Sequence, residues 1–205
     1  IVVKGGGKWN GNPFTLAGTA ESPLELRDSE RPYRIDLRAA AGPTRAHARG
    51  TLLDPLRLRD FDLKLALAGQ NLDDLFPLIG VALPPTPPYA LDGRFTRAID
   101  SPTRSTWMYD GFTGKVGDSD LSGTAHVSAG GKGKPYLKAD LRSARLDLDD
   151  LGGFIGLAPK ADAGETTNPE LATQAAQQKA RDKLLPDDPW NLAKLRAMDA
   201  DVRLR

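Results

Sequence analysis

The chain of 205 residues contains no cysteine. That absence excludes a disulfide framework, a thiolate nucleophile and any cysteine-ligated metal centre. It suits a periplasmic address as well as a cytosolic one. Histidine occurs twice, too sparse for most imidazole-ligated metal sites. Charge of one sign is also missing, since 28 Lys and Arg stand against 27 Asp and Glu. Such a balance gives no electrostatic case for nucleic acid, whose binders present a strongly basic face. No run approaches the roughly 18 apolar residues of a membrane-spanning helix. The longest, Leu75 to Leu83, is interrupted by Pro77. The sequence opens on Ile1-Val2-Val3 without Met and closes on Leu204-Arg205 within a strand pattern. The chain is therefore expected to be a piece of a longer protein, with any targeting or anchoring segment outside it.

What is present is punctuation and alternation. Gly 21 and Pro 16 make up about 18% of the chain, above the roughly 12% of average usage. Many turns, and hence many short strands, are expected. Apolar residues recur with period two at Phe14, Leu16, Gly18 and Ala20, and at Tyr33, Ile35, Leu37 and Ala39. Leu56 and Leu58 continue the pattern, and the parity flips near Arg59-Asp60 into Phe61, Leu63, Leu65 and Leu67. A flip of that kind marks a turn or bulge. Tyr89, Leu91, Gly93 and Phe95 form another run. Phe112, Gly114 and Val116 precede Gly117-Asp118, and Leu121, Gly123, Ala125 and Val127 follow it, which predicts a hairpin. Tyr136 to Ser143 and Val202-Leu204 complete the set.

Alternate residues of a strand share a side. Phe61, Leu63, Leu65, Leu67, Leu91, Phe95, Phe112, Val116, Leu121, Val127, Leu137 and Leu141 are therefore expected on one face. Glycines on that parity permit sharp curvature, as in a curled sheet, although sandwich corners use them too. An apolar face must be covered by a second sheet, by helices or by apolar ligand. A self-packed sandwich and a curled sheet holding acyl chains both satisfy that demand.

Short helices are predicted at 71–79 and 147–155, each opening with acidic residues and closing on Gly. The second follows the first at an offset of 76 residues, and the register extends back to set Phe61, Leu65 and Leu72 opposite Leu137, Leu141 and Leu148. A strand-and-helix unit is thus used twice. Three regions follow: β repeats over 1–158, a linker over 159–189 that is partly helical or disordered, and the start of a further β repeat over 190–205.

No catalytic constellation assembles. Asp73-Asp74 and Asp149-Asp150 suit helix first turns, where acids complement the macrodipole. Asp118-Ser119-Asp120 lacks the spacing of a calcium loop and its closing Glu. Gly5-Gly6-Gly7-Lys8 lacks the spacing and the Ser/Thr of a phosphate loop. No Gly-x-Ser-x-Gly elbow is present. The two His sit in strand patterns, on the polar side. No metal or cofactor is implied, and an enzyme is disfavoured.

The run Phe61-Asp62-Leu63 through Leu72-Asp73-Asp74-Leu75-Phe76-Pro77-Leu78-Ile79-Gly80, then Leu83-Pro84 and Thr86-Pro87-Pro88-Tyr89-Ala90-Leu91-Asp92-Gly93, resembles the AsmA family. So do Phe112-Thr113-Gly114-Lys115-Val116-Gly117-Asp118-Ser119-Asp120-Leu121-Ser122-Gly123 and Arg145-Leu146-Asp147-Leu148-Asp149-Asp150-Leu151. Leu195 to Val202 is similar to the opening of the family's next segment. The likeness covers about 50–158 and 190–205, whereas residues 1–49 match in style alone. It implies a mainly β, curved, mostly antiparallel open groove built from repeats. It also implies a periplasmic protein anchored to the inner membrane of a Gram-negative cell. Its apolar face, the twelve residues above, would bind phospholipid or another acyl lipid on the way to the outer membrane. The second reading is a cell-envelope scaffold with a self-packed core that docks envelope proteins.

Overall fold

The computed structural model describes residues 1–9, 11–56, 60–75, 83, 86–147, 150 and 198–205. Within them, ten strands form one open sheet whose spatial order follows chain order. The strands are β1 (Val2–Trp9), β2 (Asn12–Ala20), β3 (Tyr33–Ala41), β4 (Thr44–Leu53), β5 (Asp60–Gly69), β6 (Tyr89–Ser101), β7 (Arg104–Val116), β8 (Ser119–Gly130), β9 (Tyr136–Arg142) and β10 (Asp199–Leu204). β1 to β9 make an antiparallel meander, and β10 joins β9 in parallel. The mainly β, mostly antiparallel open sheet expected from alternation is the fold. Helix among the described residues is confined to two 3-10 turns, Pro23–Arg27 and Leu72–Leu75.

The helix predicted over 71–79 begins as the turn Leu72–Leu75, and its remainder lies outside the described residues. Nearly all of 147–155 and the whole linker, 159–189, also lie outside them. Leu56 extends no strand. It stands in the turn that follows β4 and is 72% exposed. β10 continues the same sheet, paired along its length with Tyr136 to Leu141.

Three antiparallel strand pairs share one device. Gly18-Thr19 faces Asp36-Leu37, Gly50-Thr51 faces Asp62-Leu63, and Gly123-Thr124 faces Asp140-Leu141. Each glycine has φ between 151° and 154°. A Cβ there would fall 2.1–2.2 Å from the facing Asp carbonyl oxygen, so no other residue lets the two backbones approach. Leu63 and Leu141 are the equivalent positions in this device, two residues away from the pairing of Leu65 with Leu141 that the 76-residue offset predicts. A slip of two preserves the face, whereas a slip of one would reverse it.

β7 shows how that parity is held. Phe112, Gly114 and Val116 share a face with Leu121, Gly123 and Ser119, but upstream it is Ser105, Trp107 and Tyr109 that share it with Ala129, Val127 and Ala125. One extra residue at Asp110-Gly111 reconciles the halves, with Gly111 at φ 57°. This is a bulge with glycine in the left-handed region.

Two glycine substitutions separate strain from steric clash. At Gly111 a Cβ meets nothing within 4 Å, so Gly111→Ala should cost only about 1–2 kcal/mol for the left-handed backbone. At Gly123 the Cβ strikes backbone, so Gly123→Ala should cost clearly more. Urea unfolding of both variants checks the order, and equal midpoints would refute it.

Candidate functional site: the apolar face of the sheet

Paired residues project from the same side of a ladder, so a face can be traced across the sheet. Leu63 pairs with Phe95, Leu67 with Leu91, Leu91 with Gly114, and Gly114 with Leu121. Phe112 pairs with Gly123 and Gly123 with Leu141, while Val127 pairs with Leu137. Phe61, Leu65 and Val116 follow by alternation along their strands. The register thus sets all twelve predicted residues on one face.

The face is uneven in cover. Leu63, Phe112, Val116, Leu121, Leu137 and Leu141 are buried, while Phe61, Leu65, Leu67, Leu91, Phe95 and Val127 are half-buried. The buried end packs under the turn Leu72–Leu75, where Leu72 and Leu75 join Tyr89, Phe112, Val116, Leu121, Ala139 and Leu141. A second cluster gathers Tyr33, Ile35 and Leu63, with Leu26 of the other 3-10 turn against it. No second sheet covers the face among the described residues.

The cover at the first end is fixed by polar clamps. The Asn71 Oδ1 accepts from the Thr86 and Asp73 backbone N–H groups, and the Thr86 hydroxyl oxygen accepts from the Leu72 N–H. Asp150 reaches the β7–β8 turn. Its carboxylate accepts from the Asp118 N–H, the Ser119 N–H and the Ser119 hydroxyl, each at 2.8 Å, at the β7–β8 turn. A buried carboxylate is tolerated because those donors replace water. Asp118 stands in the hairpin turn, and the Asp120 carboxylate accepts from the backbone N–H groups of Arg145 and Ala144 and from the Ser143 hydroxyl. These bonds hold its carboxyl below the usual carboxylate range.

An aromatic file crosses the middle of the face. Phe61 and Phe95 lie 5.1 Å apart, Phe95 meets Tyr109 edge-on at 6.5 Å, and Tyr109 stacks on Phe112 at 5.1 Å. Tyr109 lies over Gly93, where a Cβ would strike both Phe112 and its ring. Its hydroxyl donates to the Leu65 carbonyl at 2.9 Å, two strands away. Burial, and secondarily the Asp92 charge, push the Tyr109 phenol above its ordinary value. Alternation does not find Tyr109 or Trp107, because the bulge reverses their parity relative to Phe112. The sequence signal is the Asp110-Gly111 pair following three large residues.

The opposite face carries the charged residues, with alanines among them. The Asp62 carboxylate accepts two bonds from the Arg94 guanidinium, which hold its carboxyl below the usual range. His47 meets Asp36 at 2.7 Å and His126 meets Asp110 at 2.6 Å. A groove of about 670 Å³ is lined mostly by residues of this parity, including Ala17, Ala40, Ala66, Ala68 and Ala90; of the twelve apolar positions only Leu67 and Leu91 border it.

The phenol shift has a pH consequence. The folded state keeps the Tyr109 proton at a pH where an unfolded tyrosine, near pH 10, has lost it. That contribution to stability is present below pH 10 and lost as pH rises toward the folded value. Tyr109→Phe should therefore lose about 0.5–1.5 kcal/mol of stability at neutral pH, where the hydroxyl bond is missed, and less above pH 10. Urea titrations at the two pH values check this, and an unchanged difference would refute it.

The AsmA family profile matches residues 4–205, so the likeness extends over the N-terminal strands and the linker, beyond the segments whose residues suggested it. The chain is 38% identical to the AsmA family protein YhjG of Escherichia coli (strain K12) over 99% of its own length. It spans 29% of that relative's length. No solved structure matches. The chain belongs to the AsmA family, which is linked in general to envelope biogenesis.

Proposed function

We propose that this chain is one section of an apolar groove that holds the acyl chains of phospholipid in the periplasm. In this reading it belongs to a longer protein anchored to the inner membrane, and passes lipid toward the outer membrane. One observation carries the proposal: a single sheet gathers its large apolar residues on one face, and the strip at Leu65, Leu67 and Leu91 stays half-exposed with no second sheet over it among the described residues. Water-soluble surfaces rarely leave such strips open without a use. The family's general link to the envelope supports the same reading. No catalytic step and no cofactor enter it.

The two buried clusters favour a second reading, in which the face is a self-packed scaffold that docks envelope proteins. Two substitutions on this face discriminate. Val116 is 0% exposed, so Val116→Asp should unfold the chain at a cost of several kcal/mol. Leu65→Asp should keep a near-normal melting curve while abolishing cross-linking of lipid to a photoreactive residue placed at Leu67. A Leu65→Asp chain that melts like Val116→Asp would favour the scaffold.

A further inference from the structure

The groove of about 670 Å³ has no part in the acyl-chain reading, because it lies on the side of the sheet opposite that face. Two cross-strand rows border it. One runs through consecutive pairings from Ala17 on β2 to Thr113 on β7, and the other from Thr15 on β2 to Ala90 on β6. The positions between the rows, Leu16, Ala39, Ala46, Leu67, Leu91 and Gly114, also line it. Their side chains project to the apolar face by alternation, so they contribute backbone and form a floor.

The recess has a cause in side-chain size. Ala17, Ala40, Ala66, Ala68 and Ala90 all line it, whereas neighbouring positions on this side carry long charged chains such as Lys64, Arg94 and Lys138. A trench from β2 to β7 crosses five strand spacings, about 24 Å. A helix of about sixteen residues has that length.

The trench is basic in a chain that is otherwise nearly balanced. Arg38 and Arg45 line it and are exposed. Lys4 is paired with Ala17 at one end, and Lys115 with Ala90 at the other. The acid that lines it, Asp92, lies 3.5 Å from Lys64, and Asp36 beside Arg38 is engaged by His47. A flat lipid surface would rest on the long chains around the trench and leave its floor empty. A ridge of side chains can enter, in the manner of an amphipathic helix laid in a groove.

We propose that this trench docks an amphipathic helix of a partner protein, about sixteen residues long. Its apolar ridge would seat among the alanines, and its flanking acids would meet Arg38 and Arg45. The site lies opposite Leu65, so the partner and an acyl chain can be held at once. The assignment stands whether or not the groove reading does.

The test uses the intact chain and two fluorescent, stapled sixteen-residue helices with the same Leu and Ala ridge, one flanked by Glu and the other by Lys. The Glu helix should bind at least tenfold more tightly, and added salt should narrow the difference. Reversing both charges, Arg38→Glu with Arg45→Glu, should bring the ratio to one or below. Ala90→Trp fills the trench at an exposed position, and should weaken the Glu helix about tenfold or more with an unchanged melting curve. If neither helix binds, the docking assignment is overturned. Equal binding of the two, unmoved by charge reversal, overturns the acidic partner. Tight binding that ignores Ala90→Trp places the contact elsewhere and overturns the site. Vesicles of phosphatidylglycerol should not sediment the chain; sedimentation abolished by Ala90→Trp would make the trench a lipid site instead. If the charge-reversed chain does not fold, the wild-type ratio and Ala90→Trp still decide.

Discussion

The structure depends on a parity constraint. A strand has two sides, and a meander keeps its apolar residues together only if every ladder pairs like side with like. Each of the nine pairings obeys this, from Val3 opposite Gly18 to Ala139 opposite Val202. The hydrophobic gain of collecting leucines on one face is shared over the sheet, but one slipped pairing would turn all later residues outward. The Gly111 bulge shows the constraint acting against the local sequence. β7 carries its large residues on two conflicting parities, and one extra residue between Tyr109 and Phe112 reconciles them. The glycine–threonine pairs facing Asp-Leu serve the same end, since only a glycine lets the neighbouring backbone come close enough to lock the register.

The polar side obeys a looser rule. Its ion pairs, Arg94 with Asp62 and Lys64 with Asp92, are exposed, and such pairs contribute little each. They keep that side soluble and leave selection of register to the apolar face.

Most of the architecture was legible because period-two alternation is a direct imprint of strand geometry. Leu63, Leu65, Leu91, Val116 and Leu121 could be set on one face from their spacing alone. The hairpin at Gly117-Asp118 was legible from its turn chemistry. What escaped had physical causes. β1 has Gly5, Gly6 and Gly7 where side chains would show a pattern, and β4 offers only Ala46, Ala48 and Gly50 before Leu52. Trp107 and Tyr109 were hidden by the bulge. The reach of the Asp150 carboxylate to Ser119 was hidden, since nothing in a linear sequence brings the two together. Alternation at Val202 and Leu204 announced β10 as a strand, but not that it would run parallel to β9.

Among the described residues, extensive strand-to-strand contacts join strands that are consecutive along the chain. Such a molecule behaves as a one-dimensional array, in which stability accumulates neighbour by neighbour and local opening need not propagate. Length is therefore a free variable. Inserting or losing a whole hairpin changes the strand count by two and leaves the sidedness of every other strand intact. A fold of this kind can be tailored to span a distance by repetition alone.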